Sequence, residues 1–151
     1  MENIKLSARA KKLIHTVIIV DTSVLIKNFI KEEDSDFVDE LISLHQRKEL
    51  TLLSTPLLQF EFFNVLSNKF KDKARVRQSL KRFLSFGIGI IDAKYGYLEK
   101  AIENACEARV SYYDSSYHAL AKDMDGVFLT ADKKYFDITE NQGNILLLSN
   151  P

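Results

Sequence analysis

Four acidic residues stand at widely separated points of this chain, each beside an apolar run or in a helix-like stretch: Asp21, Glu61, Asp114 and Asp132. The first follows the apolar residues 17–20, and the last follows residues 127–131. Mg²⁺ prefers oxygen ligands, and crowded carboxylates repel one another unless a cation neutralises them. If the fold brings the four acids together, we expect a metal site suited to phosphodiester cleavage, because a bound metal orients the phosphate and lowers the pKa of an attacking water.

Polar residues near these acids favour the same interpretation. Ser23 and Thr130 each place a hydroxyl two residues from the first or the last acid, where it could bond a carboxylate or a metal-bound water. Asn64 comes three residues after Glu61, so the two share one face of an otherwise apolar helix. A buried polar group without a partner costs roughly 1–3 kcal/mol. We therefore expect these three polar side chains to support the acids.

Some of these residues, taken singly, could have a purely structural role. Asp114 could be a helix N-cap, the commonest reason for an aspartate at a helix start, and Asp132 could be a turn residue. His118 follows Asp114 by four residues and could touch the site, although a partly buried structural histidine is the favoured interpretation. Bases could stack on three tyrosines of this region, although packing in the core or at its rim is favoured for them: Tyr112, Tyr113 and Tyr117.

The elements that must position these residues alternate along the chain. Short apolar runs predict strands at residues 15–20, 50–53, 88–91, 127–129 and 145–148. Helical spacing predicts helices at residues 24–30, 36–47, 56–70, 73–84, 95–110 and 115–122. Uniformly apolar strands are typical of a parallel sheet that is covered on both faces, so the pattern predicts an α/β fold with about five parallel strands. Sites in such sheets form beyond the C-terminal ends of strands, where the first and last acids fall.

Length and composition indicate an ordinary globular protein. The chain has 151 residues, with 46% hydrophobic and 28% charged residues, which suits one domain. We expect residues 1–14 to form a charged N-terminal lead and residues 15–151 to form the single domain. The one cysteine, Cys106, cannot form a disulfide within the chain. No apolar run approaches the ~20 residues of a membrane span and no secretory signal is visible, so we expect a cytoplasmic protein without a membrane partner.

The charge is balanced overall but unevenly spread. A net charge of zero argues against a strongly nucleic-acid-binding surface. However, residues 69–82 carry seven cations against the single acid Asp72: Lys69, Lys71, Lys73, Arg75, Arg77, Lys81 and Arg82. A basic stripe beside an acidic metal site could attract a phosphate backbone, and a solvated helix face would account for the charges equally well. Lys73, Arg75 and Arg77 are the predicted phosphate contacts.

Four segments, in order, resemble the PIN-domain ribonucleases, and among them the VapC toxins of toxin–antitoxin pairs. They are residues 19–26 (IVDTSVLI), 61–66 (EFFNVL), 113–121 (YDSSYHALA) and 128–136 (FLTADKKYF). The resemblance implies a three-layer α/β/α PIN-like fold, in which the four acids are catalytic and bind Mg²⁺ or Mn²⁺. It also implies water-mediated cleavage of RNA, a small antitoxin partner and a homodimer.

The leading hypothesis is accordingly a Mg²⁺-dependent endoribonuclease that acts as a toxin and is restrained by an antitoxin. One alternative is a housekeeping RNA-processing nuclease of the same fold without an antitoxin. Another is a non-catalytic, metal-dependent interaction domain with an Asp-x-Ser-x-Ser loop, but Leu25 occupies the last position of that pattern. An aspartyl-phosphate phosphatase needs a second acid two residues after the first, where Ser23 stands.

Overall fold

Five short strands form one parallel sheet in the computed structural model, which describes residues 6–92 and 94–150. In chain order they are β1 (Val17–Val20), β2 (Thr51–Ser54), β3 (Gly89–Ile90), β4 (Val127–Thr130) and β5 (Ile145–Leu147). Their order across the sheet is β3-β2-β1-β4-β5, so β1 is central. Three consecutive residues of β1 are buried although neighbouring side chains point to opposite faces, so helices cover both faces. The prediction of a three-layer α/β fold with about five parallel strands is confirmed.

Eight α-helices accompany the sheet within the described residues. They are α1 (Ala8–Lys12), α2 (Thr22–Leu25), α3 (Ser35–Gln46), α4 (Leu57–Lys69), α5 (Lys73–Ser85), α6 (Tyr95–Ala108), α7 (Tyr112–Asp123) and α8 (Lys133–Thr139). Two 3₁₀ turns follow α2 and α8, at Ile26–Asn28 and Glu140–Gln142. Helix α7 packs on β1 and β4, and α3 packs on β2. None of the helices in the described part of the chain has the length and apolar character needed to cross a membrane.

The structure differs from the predicted elements at several places. Helix α8 occupies a segment for which the sequence predicted no element, and α7 begins three residues earlier than expected. The predicted helix 24–30 is divided into α2 and a 3₁₀ turn. Only seven residues long, α8 buries just Tyr135 and Thr139, so its apolar residues do not form a recognisable helical stripe.

The described part of the N-terminal lead packs against α3. Ser7 caps α1 by accepting a hydrogen bond from the backbone N–H of Ala10, which is fully buried. Arg9 forms an ion pair with Asp34 at 2.7 Å, and its guanidinium lies 4.1 Å from the centre of the Phe37 ring. Residues 1–5 of the lead lie outside the described part of the chain. Residues 6–14 are therefore bound to the same core as α3.

A glycine allows β4 to approach β1 closely. A Cβ atom at Gly126 would lie 2.5 Å from the carbonyl oxygen of Val17 and 3.1 Å from its Cβ. The carbonyl belongs to the backbone of the central strand, so it cannot move aside as a flexible side chain would. The pairing of the two strands therefore depends on the missing side chain.

We predict that Gly126→Ala lowers the free energy of unfolding by about 1–3 kcal/mol, the usual cost of forcing an extra group into a packed interior. Thermal unfolding followed by circular dichroism measures the change. Gly96→Ala is the matched control, because nothing lies within 4 Å of the Cβ that it would gain in α6. Alanine is also the better helix former, so the control should melt no lower than the wild type. Equal melting temperatures for Gly126→Ala and the wild type would contradict the close approach.

Candidate functional site

Asp21 lies at the C-terminal end of the central strand and is only 6% exposed. It is the N-cap of α2, where its Oδ1 accepts hydrogen bonds from the backbone N–H of Val24 at 3.1 Å and from the Ser23 hydroxyl at 2.5 Å. Its Oδ2 accepts a hydrogen bond from the Thr130 hydroxyl at 2.9 Å. Thr130 ends β4, the neighbouring strand, so the two strand ends are joined through this carboxylate.

Burial raises the pKa of Asp21 from 3.8 to about 6. The hydrogen bonds from Ser23, Thr130 and Val24 oppose this effect in part, and the charge of Glu61 adds to it. Burial also raises the pKa of Glu61; the hydrogen bond from Tyr117 opposes that shift and the charge of Asp114 adds to it. Ionised forms of both carboxylates are therefore costly, and a nearby cation would stabilise them.

Tyr117 is the partner of Glu61 and was not predicted as a site residue. Its hydroxyl donates a hydrogen bond to Glu61 Oε2 at 3.0 Å, while its ring is 1% exposed and stacks on Phe128. Burial, followed by the charges of Glu61 and Asp21, raises the pKa of Tyr117 far above its ordinary value, so the hydroxyl stays a donor. A signal was present in the sequence, because Tyr117 lies three residues after Asp114 and helical residues at this spacing share a face.

Asp114 is at the third position of α7, and Ser111 is the N-cap. The Ser111 hydroxyl accepts a hydrogen bond from the backbone N–H of Asp114 at 3.1 Å and donates one to Asp114 Oδ2 at 2.5 Å. The interpretation of Asp114 as an N-cap is therefore wrong. Its carboxylate does not serve the backbone of the helix, and the serine holds it in place.

Asp132 is the N-cap of α8, where its Oδ1 accepts a hydrogen bond from the backbone N–H of Tyr135 at 3.0 Å. The backbone N–H of Asp132 in turn donates to the Thr130 hydroxyl at 3.1 Å. Thr130 thus connects Asp21 to the segment that carries Asp132. Asp132 is exposed and shares with Asp114 a cleft of about 250 Å³.

The four acids lie at one edge of the sheet as two pairs. Asp21 and Glu61 form the inner pair, in which the charge of Glu61 raises the pKa of Asp21, while Asp114 and Asp132 form the outer pair in the cleft. The charge of Asp114 also raises the pKa of Glu61 and so links the two pairs. Among residues 6–92 and 94–150, no three carboxylate, histidine or cysteine side chains stand close enough to hold one metal ion between them. The fold therefore brings the acids together as two linked pairs, and their convergence on one metal ion stays a prediction.

The family model of the PIN domain matches residues 18–141, which include all four acids. This chain belongs to the PIN-domain family. The prediction of a PIN domain, made from four short segments, is confirmed. No curated protein sequence matches the chain significantly.

Solved structures similar to this PIN domain include proteins of toxin–antitoxin systems. A toxin-antitoxin complex from Klebsiella pneumoniae matches with a TM-score of 0.65 and 13% identity, covering 89% of this chain and 99% of that chain. VapBC2 from Rickettsia felis, bound to a DNA fragment from its promoter, matches with a TM-score of 0.65 and 20% identity, covering 87% of this chain and 96% of that chain. The sarcin-ricin loop cleaving toxin VapC20 from Mycobacterium tuberculosis matches with a TM-score of 0.60 and 17% identity, covering 89% of this chain and 99% of that chain. At these identities the similarity establishes a shared fold, and the expected likeness to VapC proteins is confirmed at that level.

The residues of this PIN domain fit a divalent cation that binds oxygen. All four acids offer carboxylate oxygens, the ligands preferred by Mg²⁺ and Mn²⁺. Two buried hydroxyls add oxygen atoms to the same region: Thr22 Oγ1 lies beside Glu61, and Thr55 Oγ1 lies beside the Tyr117 hydroxyl.

The surroundings of several other residues singled out from the sequence are defined by the structure. Asn64 is exposed on α4, where its side chain bonds Asn68 at 3.2 Å, and no described hydrogen bond joins it to an acid. His118 is fully buried between the Tyr135 hydroxyl and the carbonyl oxygen of Gly143, so the structural interpretation of this histidine is confirmed. Tyr117 packs in the core as expected, whereas Tyr112 and Tyr113 are 38% and 61% exposed, so for these two packing at the rim stays a prediction.

The predicted phosphate contacts lie on α5. Lys73, Arg75 and Arg77 are exposed, and the Arg75 guanidinium lies 4.1 Å from the centre of the Phe70 ring. No ion pair engages these three cations within the described residues. They stay predicted contacts, separate from the cleft of the outer acids.

We predict that Asp21→Asn raises the melting temperature at pH 8 in the presence of a chelator. The rise of the Asp21 pKa from 3.8 to about 6 corresponds to roughly 3 kcal/mol, since one pKa unit is worth about 1.4 kcal/mol. Because the pKa of Asp21 is higher in the folded state than in the unfolded state, the fold favours protonated Asp21. This stabilisation is complete below pH ~4 and is lost as the pH rises through about 6. The advantage of the variant should therefore shrink between pH 8 and pH 4.

Differential scanning calorimetry across this pH range measures the effect. Asp36→Asn is the control, because Asp36 is an exposed acid in the first turn of α3. Mg²⁺ at pH 8 should raise the melting temperature of the wild type more than that of Asp21→Asn. A variant that is less stable than the wild type at pH 8 would contradict the cost assigned to the buried charge.

We predict that Tyr117→Phe lowers the free energy of unfolding by about 1–2 kcal/mol at pH 8, because Glu61 loses its hydroxyl donor while the buried ring is kept. Urea unfolding followed by fluorescence or circular dichroism gives the midpoint. Tyr113→Phe, on the same helix but 61% exposed, is the control and should leave the midpoint unchanged. Identical midpoints for the two variants would show that the hydrogen bond to Glu61 contributes no stability.

Proposed function

We propose that this protein is a Mg²⁺-dependent endoribonuclease that hydrolyses RNA phosphodiester bonds, and that it acts as the VapC-like toxin of a toxin–antitoxin pair. The observation that carries the proposal is the costly buried charge of Asp21 at the end of the central strand of a PIN domain. The chain keeps this carboxylate with a second acid beside it, although burial disfavours the charged form of both and raises both pKa values. A cation bound beside the two carboxylates would offset the cost of their charges.

Each acid has a separate group that fixes its position. Ser23 and Thr130 hold Asp21, Tyr117 holds Glu61, Ser111 holds Asp114, and the backbone at the start of α8 holds Asp132. We propose that Asp21, Glu61, Asp114 and Asp132 form the cation site, some as direct ligands and the others through water bound to the cation. When bound, Mg²⁺ or Mn²⁺ would orient the phosphodiester, lower the pKa of an attacking water and offset developing charge. The fixed donors keep the carboxylates oriented, so little reorganisation is needed during the reaction.

We propose two protein partners, a small antitoxin and a second copy of this chain. Support comes from the structural neighbours, which include toxin–antitoxin complexes. Large apolar side chains are also exposed on the packed helices α4 and α5: Phe60 (75%), Leu84 (61%) and Leu80 (39%). Large exposed apolar side chains are typical of interaction surfaces when they are contiguous, and the contact between α4 and α5 allows these three to share one surface.

We predict that the purified protein cleaves RNA with Mg²⁺ or Mn²⁺ and loses this activity with a chelator. Asp114→Asn and Asp132→Asn should each lower the cleavage rate by about 100-fold or more, because each removes a charge from the proposed cation site. A gel assay on labelled RNA measures the rates. Asp36→Asn is the control for the first variant, since both acids lie in the first turn of a helix. Asp72→Asn is the control for the second, since both acids are N-caps and asparagine also caps helices well.

Cleavage that persists with chelator and in both site variants would overturn the proposed nuclease site. The toxin role has its own measurement, which is bacterial growth after induced expression. Growth should stop with the wild type and continue with Asp114→Asn. A protein that cleaves RNA in vitro and leaves growth unaffected would instead favour an RNA-processing nuclease without an antitoxin.

A further inference from the structure

Two cationic side chains share the cleft of the outer acids. The cleft lies between the turn that joins α6 to α7 and the beginning of α8, and its volume is about 250 Å³. Its polar lining consists of Arg109, Ser111, Asp114, Asp132, Lys134 and Tyr135. Cations and carboxylates thus face one space, and this is the space into which the proposed reaction would admit its substrate.

Among residues 6–92 and 94–150, no carboxylate forms an ion pair with either cation. Arg109 and Lys134 are exposed and form no ion pair in the described part of the chain, although two acids line the same cleft. The neighbouring Lys133 behaves differently, because it is paired with Asp137 at 2.7 Å. Two adjacent lysines of α8 therefore differ in their surroundings, and only Lys134 has its ammonium group available to a ligand in the cleft.

The backbone at Arg109 does not require an arginine. Arg109 ends α6 with φ 54° and ψ 44°, the left-handed conformation in which glycine is the preferred residue. An arginine there is less favourable for the backbone than a glycine would be. Its side chain can therefore be removed by a substitution that suits the backbone better, which separates a binding role from a structural one.

We propose that Arg109 and Lys134 bind phosphate groups of the RNA backbone and seat the strand against Asp114 and Asp132. This inference rests on the proposed nuclease function and adds the residues that hold its substrate. A guanidinium presents paired N–H donors that match phosphate oxygens, and an ammonium group adds a point charge. The four charges of the cleft sum to zero, so a cation bound by the acids would leave the cleft positive and attractive to a phosphodiester.

The test measures binding of a labelled single-stranded RNA by fluorescence anisotropy in Mg²⁺, with the Asp21→Asn substitution in every protein to prevent cleavage. Arg109→Gly and Lys134→Ala should each weaken binding by about fivefold. Each should also reduce the slope of log K against log salt concentration by about 0.7, the contribution of one phosphate contact to a single strand. The melting temperature of Arg109→Gly should be equal to or higher than that of its parent.

Two matched controls come from the chain itself. Lys48→Gly removes another exposed cation that stands in the left-handed conformation beyond a helix end, with φ 63°. Lys133→Ala removes the paired lysine beside Lys134. Both controls should bind RNA within about twofold of the parent, because neither cation lines the cleft.

Unchanged affinity and salt slope in Arg109→Gly and Lys134→Ala would overturn this proposal, and RNA cleavage by the wild type would then leave the nuclease function standing. Equal losses in the two controls would also overturn it, because a general charge effect would account for them. If the wild type neither binds nor cleaves RNA, the proposed function fails and this inference fails with it.

Discussion

A carboxylate that is buried at the end of the central strand is the interaction on which the site depends. Asp21 needs donors for both of its oxygens, because an unpaired buried charge costs several kcal/mol. The neighbouring strand supplies the Thr130 hydroxyl, and α2 supplies Ser23 and a backbone N–H. Even so, burial keeps the pKa near 6. The fold thus holds a carboxylate whose charged form is costly at one fixed point, which is the position of the proposed cation site.

Much of the fold and part of the site could be predicted from the sequence. The strands are short, apolar and uniform, so they indicate a parallel sheet without any knowledge of their neighbours. The same reasoning places Asp21 and Asp132 at the ends of strands, since sites in such sheets form there. Ser23 was predictable because it lies two residues from Asp21, and local spacing decides what a short hydroxyl side chain can reach. Thr130 was singled out by its spacing from Asp132, but the carboxylate that it bonds is that of Asp21, 109 residues away.

The remaining features arise from contacts between distant segments, which periodicity does not report. Tyr117 resembles a core residue in sequence and is one, yet the end of its ring reaches Glu61, 56 residues away. Arg109 and Lys134 are unremarkable surface cations until the α6–α7 turn and α8 are placed side by side. For Asn64, the sequence suggested a contact that the structure does not show. It shares a helix face with Glu61, but its side chain is exposed and bonded to Asn68.

The bond between Thr130 and Asp21 also determines when the site can exist during synthesis. The two residues are 109 positions apart, and β1 is made early although it becomes the central strand. A growing chain therefore carries Asp21 long before the hydroxyl that holds its second oxygen has been translated. Chains that stop before β4 lack this partner altogether. Under the proposed ribonuclease function, this order of assembly means that the ribosome and its RNA meet no finished site until β4 has been made.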